Sequence, residues 1–465
     1  MSSVKLGVAF LIGLVIWVLP IPEGLSPQAW HLFAIFLATI SGIVMRPFPM
    51  PATALIGLAA VVVTHTLTFQ EAFSGFSRDV IWLIVFAFFV AHGIIKTGLG
   101  ARISYLFMIL FGRKTLGLSY GMATTDLLLA PVIPSSTARA GGVLFPIIES
   151  LANNYESHPR KPSARKIGSF LISSAFQVNN VTNAMFLTAM AANPLIVDIA
   201  TDNGIKVTWG SWALAALVPG ILSLILVPLV VYWIHPPEVK ATPLAKEYAQ
   251  SHLKKMGRMK MPEWIMLGTF ALLILLWMWG PDLELKAATT ALIGLCILLI
   301  TRVLTWQELV KESGAWSTLI WFSVLLMMAT FLNKLGFTDW FGQQVVNQVE
   351  FLDWKMAFLL LSLVYFYSHY FFASNIAHVG ALLPTFLIVA IQLGTPPLLA
   401  LYVLGFFSSL FGGLTHYGSG PAAILYGAGY VPVRDWWTVG LVVSVVNIAI
   451  WSSAGLMWWK FLGVF

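Results

Sequence analysis

The chain has 465 residues, of which 58% are hydrophobic and 10% are charged, with a mean hydropathy of +0.85 and a net charge of +7. A soluble domain carries about a quarter charged residues, so this composition excludes a soluble protein. The excess of Lys and Arg requires no nucleic-acid partner, because basic residues concentrate in the cytoplasmic loops of membrane proteins. The single cysteine, Cys296, lies in an apolar run and excludes disulfides and cysteine metal sites.

Apolar runs recur from one end of the chain to the other, and most reach about 17 residues or more, enough to cross a bilayer as a helix. They predict an all-α polytopic membrane protein with about 11 transmembrane helices, since β-barrel strands would give a weaker, alternating pattern. No cleavage site follows the first run, so residues 1–28 are interpreted as a retained N-terminal transmembrane helix. The predicted spans lie near residues 6–22, 29–46, 51–67, 80–97, 166–200, 211–234, 263–280, 285–303, 314–333, 397–430 and 435–460.

One long polar segment, residues 235–262, divides the spans into two groups. The positive-inside rule places this segment in the cytoplasm, where it is predicted to be a solvated linker. Binding of its charges to anionic membrane lipids is the alternative. Its basic residues are Lys240, Lys246, Lys254, Lys255, Arg258 and Lys260.

Three short patterns occur twice, in the same order and about 237 residues apart, which indicates an internal duplication. One match could arise by chance in so apolar a chain, but three ordered matches favour a repeated unit on either side of the linker. The pairs are TALIGL at 53–58 and 290–295, TFQE at 68–71 with TWQE at 305–308, and IKTGL at 95–99 with NKLGF at 333–337.

Two further apolar regions, residues 117–155 and 353–394, are each interrupted by polar residues in the middle. Basic residues flank the first region on both sides, which predicts that it enters the membrane from the cytoplasm and turns back. Each repeat, residues 29–234 and 263–465, then has five crossings and one re-entrant hairpin. An odd number of crossings inverts the second copy, and inverted repeats with discontinuous helices are an architecture of secondary transporters.

The two hairpin tips carry polar groups at equivalent positions. The first tip reads PSSTAR at 134–139, and the second reads ASNIAH at 373–378, about 239 residues later. Backbone at such a tip is tolerated only where it lines a polar cavity, and the helix that begins there presents its positive N-terminal end. Two opposed tips therefore predict a midplane anion site that a substrate with two carboxylates bridges. The candidate substrate-binding residues are Ser135, Ser136, Thr137, Ser374 and Asn375.

Two polar interruptions, Gln177–Asn183 and Thr415–Pro421, also lie at equivalent positions and are predicted to be unwound points in the fifth and tenth spans. In isolation such groups would only bond their own backbone, hold helices together or kink them. Their coincidence with the two tips favours a four-walled binding cavity instead. They add Thr182, Asn183, Thr415, Ser419 and Pro421 to the candidate substrate-binding residues.

The tips and their flanks resemble the divalent anion/sodium symporter family, the INDY-type carboxylate transporters. The two family motifs of the Ser-Asn-Thr type read Ser135-Ser136-Thr137 and Ser374-Asn375-Ile376 here, so Ser136 and Ile376 depart from the family pattern. The patterns PSxTARxGGxxFP at 134–146 and YGxGYV at 426–431 resemble the antiporter branch, which includes bacterial citrate or tartrate/succinate exchangers and plastid 2-oxoglutarate/malate translocators. The resemblance implies a homodimer, with a static scaffold and a transport domain that moves as an elevator.

A basic residue follows the serine of each tip by four positions, Arg139 in the first and His378 in the second. A buried arginine at membrane depth is functional by default, although it could also cap carbonyl groups or extend to the cytoplasm. In sodium-coupled members of the family, bound cations neutralise the incoming dianion, and here Arg139 and a protonated His378 are predicted to take their place. The empty carrier would then hold an uncompensated buried charge and return slowly. Asp126, in the first hairpin arm, is predicted either to pair inside the bundle or to relay protons.

These features predict a sodium-independent carrier that exchanges small dicarboxylates, such as 2-oxoglutarate, malate or succinate, across the bacterial plasma membrane, with no metal and no cofactor. A sodium-coupled symporter of the same family is the first alternative, and an anion channel, which would need a continuous polar pore, is a more distant one. No HExxH, GxSxG or paired-acid motif of an enzyme stands at a face exposed to water, and the sequence contains no GxxxxGK[ST] motif of an ATP-driven pump.

Overall fold

The computed structural model of the protein describes residues 2–349 and 353–465. Within these residues the regular structure is helical, and the only β-type pairing is one isolated bridge between Lys114 and Ala241. The all-α fold class is therefore confirmed.

The first half of the chain contains twelve α-helices in the described residues, and a π-helical turn at Arg139–Leu144 joins the eighth to the ninth. They are α1 Ser2–Val18, α2 Pro27–Met45, α3 Met50–Val63, α4 Phe69–Phe73, α5 Asp79–Thr97, α6 Leu99–Phe111, α7 Thr115–Leu129, α8 Ser136–Ala138, α9 Phe145–Asn154, α10 Gly168–Met185, α11 Ala192–Asp202 and α12 Trp209–Ile234.

The second half contributes twelve more within the described ranges, and a second π-helical turn, Trp451–Gly455, joins the last two. They are α13 Pro243–Met256, α14 Met261–Trp279, α15 Ala287–Ile300, α16 Trp306–Lys311, α17 Ser313–Lys334, α18 Phe337–Val349, α19 Trp354–Tyr367, α20 Asn375–Gln392, α21 Pro397–Leu410, α22 Gly420–Gly427, α23 Val433–Ile450 and α24 Leu456–Phe461.

Seven helical segments of the described chain are long and apolar enough to cross a membrane, and five shorter apolar helices accompany them. One of the seven is Asn375–Gln392, which the sequence assigns to the second re-entrant hairpin. The predicted number of 11 crossings, with two hairpins in addition, stays a prediction. The seven segments are Pro27–Met45, Asp79–Thr97, Trp209–Ile234, Met261–Leu283, Ser313–Lys334, Asn375–Gln392 and Val433–Phe461.

The sequence repeats correspond to repeated local structure. The two TALIGL patterns lie in α3 and α15, and the glycines of the third pattern, Gly98 and Gly336, follow α5 and α17 with φ angles of 78° and 79°. Such left-handed backbone favours glycine, because it has no Cβ to clash. The TFQE and TWQE patterns both form capping boxes at the starts of α4 and α16. The duplication therefore preserves the residues that begin and end helices.

The helices pack in two groups. The first contains α1, α2, α3, α5, α14, α15 and α17, and the second contains α7, α10, α12, α20, α21 and α23. The helix α11 packs on α20 and α21 and so belongs with the second group, and the groups touch where α11 and α20 meet α17, where α20 meets α2 and where α12 meets α14. At this boundary Arg78 forms salt bridges with Asp198 at 2.6 Å and with Asp202 at 2.8 Å, and Arg46 donates to the carbonyl of Ala373 at 3.0 Å.

The predicted unwinding at Gln177–Asn183 is wrong, because α10 continues through these residues and ends at Met185. Their polar side chains find buried partners instead of breaking the helix: Gln177 donates to the carbonyl of Gly413 at 2.9 Å, and Asn180 donates to that of Phe176 at 2.8 Å. The interruption lies later, between Met185 and the start of α11. The second interruption, between α21 and α22, overlaps the predicted one.

The polar linker at 235–262 is ordered rather than simply solvated. It contains α13, which packs on α6 through ring contacts of Tyr105 with Tyr248 at 6.2 Å and with His252 at 5.2 Å. Backbone hydrogen bonds also join it to the start of the first hairpin, since the amide of Thr115 donates to the carbonyl of Lys240 at 3.1 Å. The linker therefore holds the base of that hairpin.

Candidate functional site

Both tips begin a helix with a capping serine. Ser135 and Ser374 have extended backbone, and their hydroxyl oxygens accept from the amides of Ala138 at 3.1 Å and Ala377 at 3.4 Å. A serine at this position satisfies one of the free amides of the first helical turn. The residues immediately after it direct their remaining amides out of the helix end.

Four backbone amides at the tips have no acceptor among the described residues. They belong to Ser136 and Thr137 in the first tip and to Asn375 and Ile376 in the second. Free amides at a helix N-terminus, together with the helix dipole, attract anions. Each tip therefore presents two donors and a partial positive charge suited to one carboxylate.

The two tips meet around the interruption between α21 and α22. Thr137 lies so close to Gly420 that a Cβ there would be 2.1 Å from its hydroxyl oxygen, so this contact requires glycine. From the second tip, Asn375 donates to the carbonyl of Ser408 at 3.0 Å, and its amide group also lies against Gly412. The structure thus brings both tips to one interruption, with α10 behind it through Gln177.

The candidate substrate-binding residues predicted at the interruption between α21 and α22 are buried around it. Ser419 donates to the carbonyl of Gly412 at 3.4 Å, and Pro421 is buried in the first turn of α22. The hydroxyl of Thr415 and the side-chain oxygens of Asn180 and Asn375 are buried without a hydrogen-bond partner in the described chain. Buried polar atoms are normally paired, so this wall has unused hydrogen-bonding capacity.

Arg139 is fully buried, at 0% exposure, just behind the first tip. Its Nε donates to Asp126 Oδ1 at 2.9 Å, and one Nη donates to Asn183 Oδ1 at 2.5 Å. The other Nη donates to two backbone carbonyls, of Ile133 at 2.5 Å and of Ala189 at 2.8 Å. The guanidinium therefore fills the space in which the tip, the arm and the end of α10 converge.

The structure corrects the prediction that Arg139 is uncompensated in the empty protein. Asp126 is itself 0% exposed, and its second oxygen accepts from Asn179 at 3.0 Å and from the hydroxyl of Thr182. The spacing could not decide the role of Asp126, and the structure assigns it to an internal ion pair. Thr182 and Asn183, predicted to face the substrate, are buried and hold this pair instead.

His378 is also fully buried, behind the second tip, and its ring stacks between Phe372 at 4.5 Å and Phe411 at 4.4 Å. Its two nitrogens contact side chains rather than carbonyls, His369 Nδ1 at 3.0 Å and the hydroxyl of Ser368 at 3.1 Å. His369 was missed by the sequence reasoning. A second ionisable residue in the same apolar hairpin was the signal available.

Apolar helices long enough to cross a membrane, two capped tips and their free amides indicate a membrane transporter. The whole chain, residues 1–465, matches the family model described as the sodium:sulfate symporter transmembrane region. The chain therefore belongs to the divalent anion/sodium symporter family, and it is a multi-span protein of the bacterial plasma membrane.

Relatives and a solved structure agree with this placement. The chain is 52% identical to the putative malate transporter YflS of Bacillus subtilis, with 100% of this chain and 98% of that protein covered. It is 51% identical to the chloroplastic dicarboxylate transporter 1 of Arabidopsis thaliana, with 97% of this chain and 82% of that protein covered. The solved YdaH transporter of Alcanivorax borkumensis shares the fold at a TM-score of 0.57 and 14% identity, with 88% of this chain and 89% of that chain covered.

Proposed function

We propose that this protein exchanges small dicarboxylates, such as malate, 2-oxoglutarate or succinate, across the membrane without sodium. Relatives named as malate and dicarboxylate transporters cover nearly the whole chain, which supports this substrate class. The observation that carries the sodium-independent part is the position of Arg139, whose guanidinium binds the backbone carbonyls around the first tip.

The substrate bridges the two tips, with one carboxylate at each. The four free tip amides and the hydroxyls of Ser135, Ser136, Thr137 and Ser374 supply donors, since a serine that caps a helix accepts with its oxygen and can still donate its hydrogen. The side-chain amide of Asn375 supplies one more, because only one of its two hydrogens is needed for the bond to Ser408. Ile376, where the family pattern has a threonine, offers only its backbone amide. The second tip therefore recognises its carboxylate with fewer side-chain donors than the first.

Sodium is replaced at the first tip by a side chain. Hard cations such as sodium need several oxygen ligands, and the carbonyls of Ile133 and Ala189 are already bound by Arg139. The ion pair with Asp126 fixes the guanidinium there permanently. At the second tip the ring of His378 occupies the equivalent place.

Exchange rather than one-way transport follows from the free donors at the tips. The Arg139 charge is compensated, so the slow step proposed for the empty carrier rests on the tip amides that lose their partner when the substrate leaves. Each buried unsatisfied group costs about 1–3 kcal/mol, so two of them slow the return of the empty carrier by about 30-fold or more. The loaded carrier avoids this cost.

The movement proposed is an elevator, in which the group of helices carrying both hairpins slides along the other group in a homodimer. The separation of the helices into two packing groups supports such a division. The contacts of Arg78 with Asp198 and Asp202, and of Arg46 with the carbonyl of Ala373, join the two groups and would have to break in this movement.

Counterflow in proteoliposomes tests the proposal. Uptake of labelled malate is expected to require unlabelled dicarboxylate inside, to saturate, and to ignore a sodium gradient. Sodium-driven uptake into empty liposomes would contradict exchange and support the symporter. Non-saturable uptake that follows the membrane potential would instead support a channel.

A further inference from the structure

A chain of hydrogen-bonding groups runs through the second hairpin behind its tip. It begins at the carbonyl of Tyr365, which accepts from Ser368 at 2.9 Å, and passes from the Ser368 hydroxyl to His378 Nε2 at 3.1 Å. It continues from His378 Nδ1 to His369 Nδ1 at 3.0 Å and ends where His369 Nε2 meets the carbonyl of Gly418 at 3.0 Å. Four contacts thus link two carbonyl oxygens through three side chains.

The side chains of this chain carry fewer hydrogens than the number of contacts that need one. Each hydrogen bond needs one hydrogen, and the two carbonyls supply none. A neutral histidine carries one ring hydrogen and a serine carries one hydroxyl hydrogen, so Ser368, His369 and His378 together supply three hydrogens for four contacts. Whichever tautomers the rings adopt, one contact lacks its hydrogen. Adding a single proton satisfies all four.

The surroundings of the two rings supply no compensating charge. No salt bridge reaches His369 or His378 within the described ranges, and the aromatic rings of Phe372 and Phe411 enclose them. Tyr365 is the other titratable group in contact, with its ring 4.8 Å from His378 and its hydroxyl bonded to Ser408 at 2.7 Å. Arg46, at the C-terminal end of α2, bonds the tip carbonyl of Ala373 at 3.0 Å, and its positive charge opposes protonation.

We propose that the chain formed by Ser368, His378 and His369 is a proton-binding site, and that one proton binds there together with each dicarboxylate. This rests on the proposed function. In the empty protein, burial without a counter-charge keeps the rings neutral. A dianion at the tip, three residues before His378 at Asn375, supplies the missing negative charge. The proton comes from water, completes the fourth hydrogen bond, and reduces the charge of the bound complex by one.

The variant Ser368→Ala distinguishes proton binding by the whole chain of hydrogen bonds from the titration of a histidine on its own. The substitution removes two of the four contacts and one of the three hydrogens, so two hydrogens remain for two contacts and the chain is complete when neutral. An added proton on His378 Nε2 would then have no acceptor. Ser444→Ala is the matched control, because Ser444 is a buried serine bonded to Tyr367 at 3.3 Å and to the carbonyl of Leu441 at 2.7 Å, outside this chain.

The experiment mixes the purified full-length protein with malate in weak buffer and follows a pH indicator, with malate affinity measured in parallel. Wild type and Ser444→Ala are expected to take up about one proton per bound malate, and their affinity to fall by up to about tenfold per pH unit in the alkaline range. Ser368→Ala is expected to take up almost none and to lose this dependence. Since every protein meets the same malate, ionisation of the substrate cancels in the comparison.

Two results would overturn the inference. One is malate binding by the wild type with no proton uptake at any pH between about 6 and 9, a measurement that needs no variant. The other is unchanged proton uptake by a folded Ser368→Ala protein. Absence of malate binding by the wild type would instead refute the proposed function, so the two failures are distinguishable.

Discussion

Both tips begin a helix with a capping serine, but they differ in how they stabilise a buried basic residue. In the first, Arg139 pairs with Asp126 of the preceding helix at 2.9 Å, and in the second His378 lies against Tyr365, with ring centroids 4.8 Å apart. Asp126 and Tyr365 occupy equivalent positions in the two repeats. The duplicated fold therefore keeps the place of the contact while its chemistry changes from an ion pair to a neutral ring contact.

This difference separates a fixed charge from a titratable one. Arginine stays charged under all ordinary conditions, and the first tip holds it in a salt bridge with Asp126 at 2.9 Å. Histidine can change its charge, and the second tip lacks a carboxylate partner among the described residues. The first tip therefore holds a fixed ion pair, and the second holds the group that we propose responds to the substrate.

Removing the equivalent residues should affect stability very unequally. Asp126→Ala leaves a buried guanidinium without its partner and is expected to lower the free energy of unfolding by about 3–5 kcal/mol. Tyr365→Phe loses only the hydroxyl bond to Ser408 and is expected to cost about 0.5–1.5 kcal/mol. Denaturant unfolding of the purified proteins in mixed micelles measures both. Equal losses of unfolding free energy in the two variants would contradict a special role for the ion pair. The double variant Asp126→Asn with Arg139→Gln is the control: it removes both charges, so it should recover part of the stability lost in Asp126→Ala.

Removing donors at the tips should affect substrate affinity while leaving the proteins folded. Ser135→Ala and Asn375→Ala each remove a side chain at one tip, and a hydrogen bond to a charged ligand is worth about 1.5–3 kcal/mol, or about 10- to 100-fold in affinity. Isothermal titration with malate measures the change, and Ser444→Ala serves as a control at a distance. Unchanged affinity in both variants would refute the site at the tips.

The smallest expected difference concerns the paired capping boxes. The hydrogen bond from Lys96, together with those from Thr305, lowers the pKa of Glu308 to about 2. The bonds from Thr68 and the charge of Lys334 lower the pKa of Glu71, which forms no salt bridge with a lysine within the described residues. Glu308→Gln is expected to cost up to about 1 kcal/mol and Glu71→Gln less, because exposed ion pairs contribute little.

The pH dependence of this difference follows from the sign of the shift. A carboxylate with a lowered pKa stabilises the fold above its ordinary pKa and loses that contribution as the pH falls toward its folded value. The gap between Glu308→Gln and the unchanged protein should therefore be constant near neutral pH and shrink below about pH 4.5. Thermal unfolding at several pH values checks this, and a gap that widens on acidification would contradict it.

The sequence predicted the tips better than the walls around them. Ser135 and Ser374 follow local rules of helix capping and repeat at a regular spacing, so pattern alone located them. The interruption after α10 was misplaced because Gln177 bonds the carbonyl of Gly413 on another segment, which no local pattern reveals, while Asn180 bonds the carbonyl of Phe176 within α10. The pairing of Arg139 with Asp126 depends on how two arms of a hairpin align, and the linker helix α13 depends on its packing against α6.

The most direct test of the account is the affinity of the purified protein for malate in sodium chloride and in choline chloride at equal ionic strength. If Arg139 and the ring of His378 occupy the places of sodium ions, the two affinities should agree within about twofold, less than 0.5 kcal/mol. An affinity that rises tenfold or more with sodium, about 1.4 kcal/mol, would contradict the account and show that the ion still binds beside the tips.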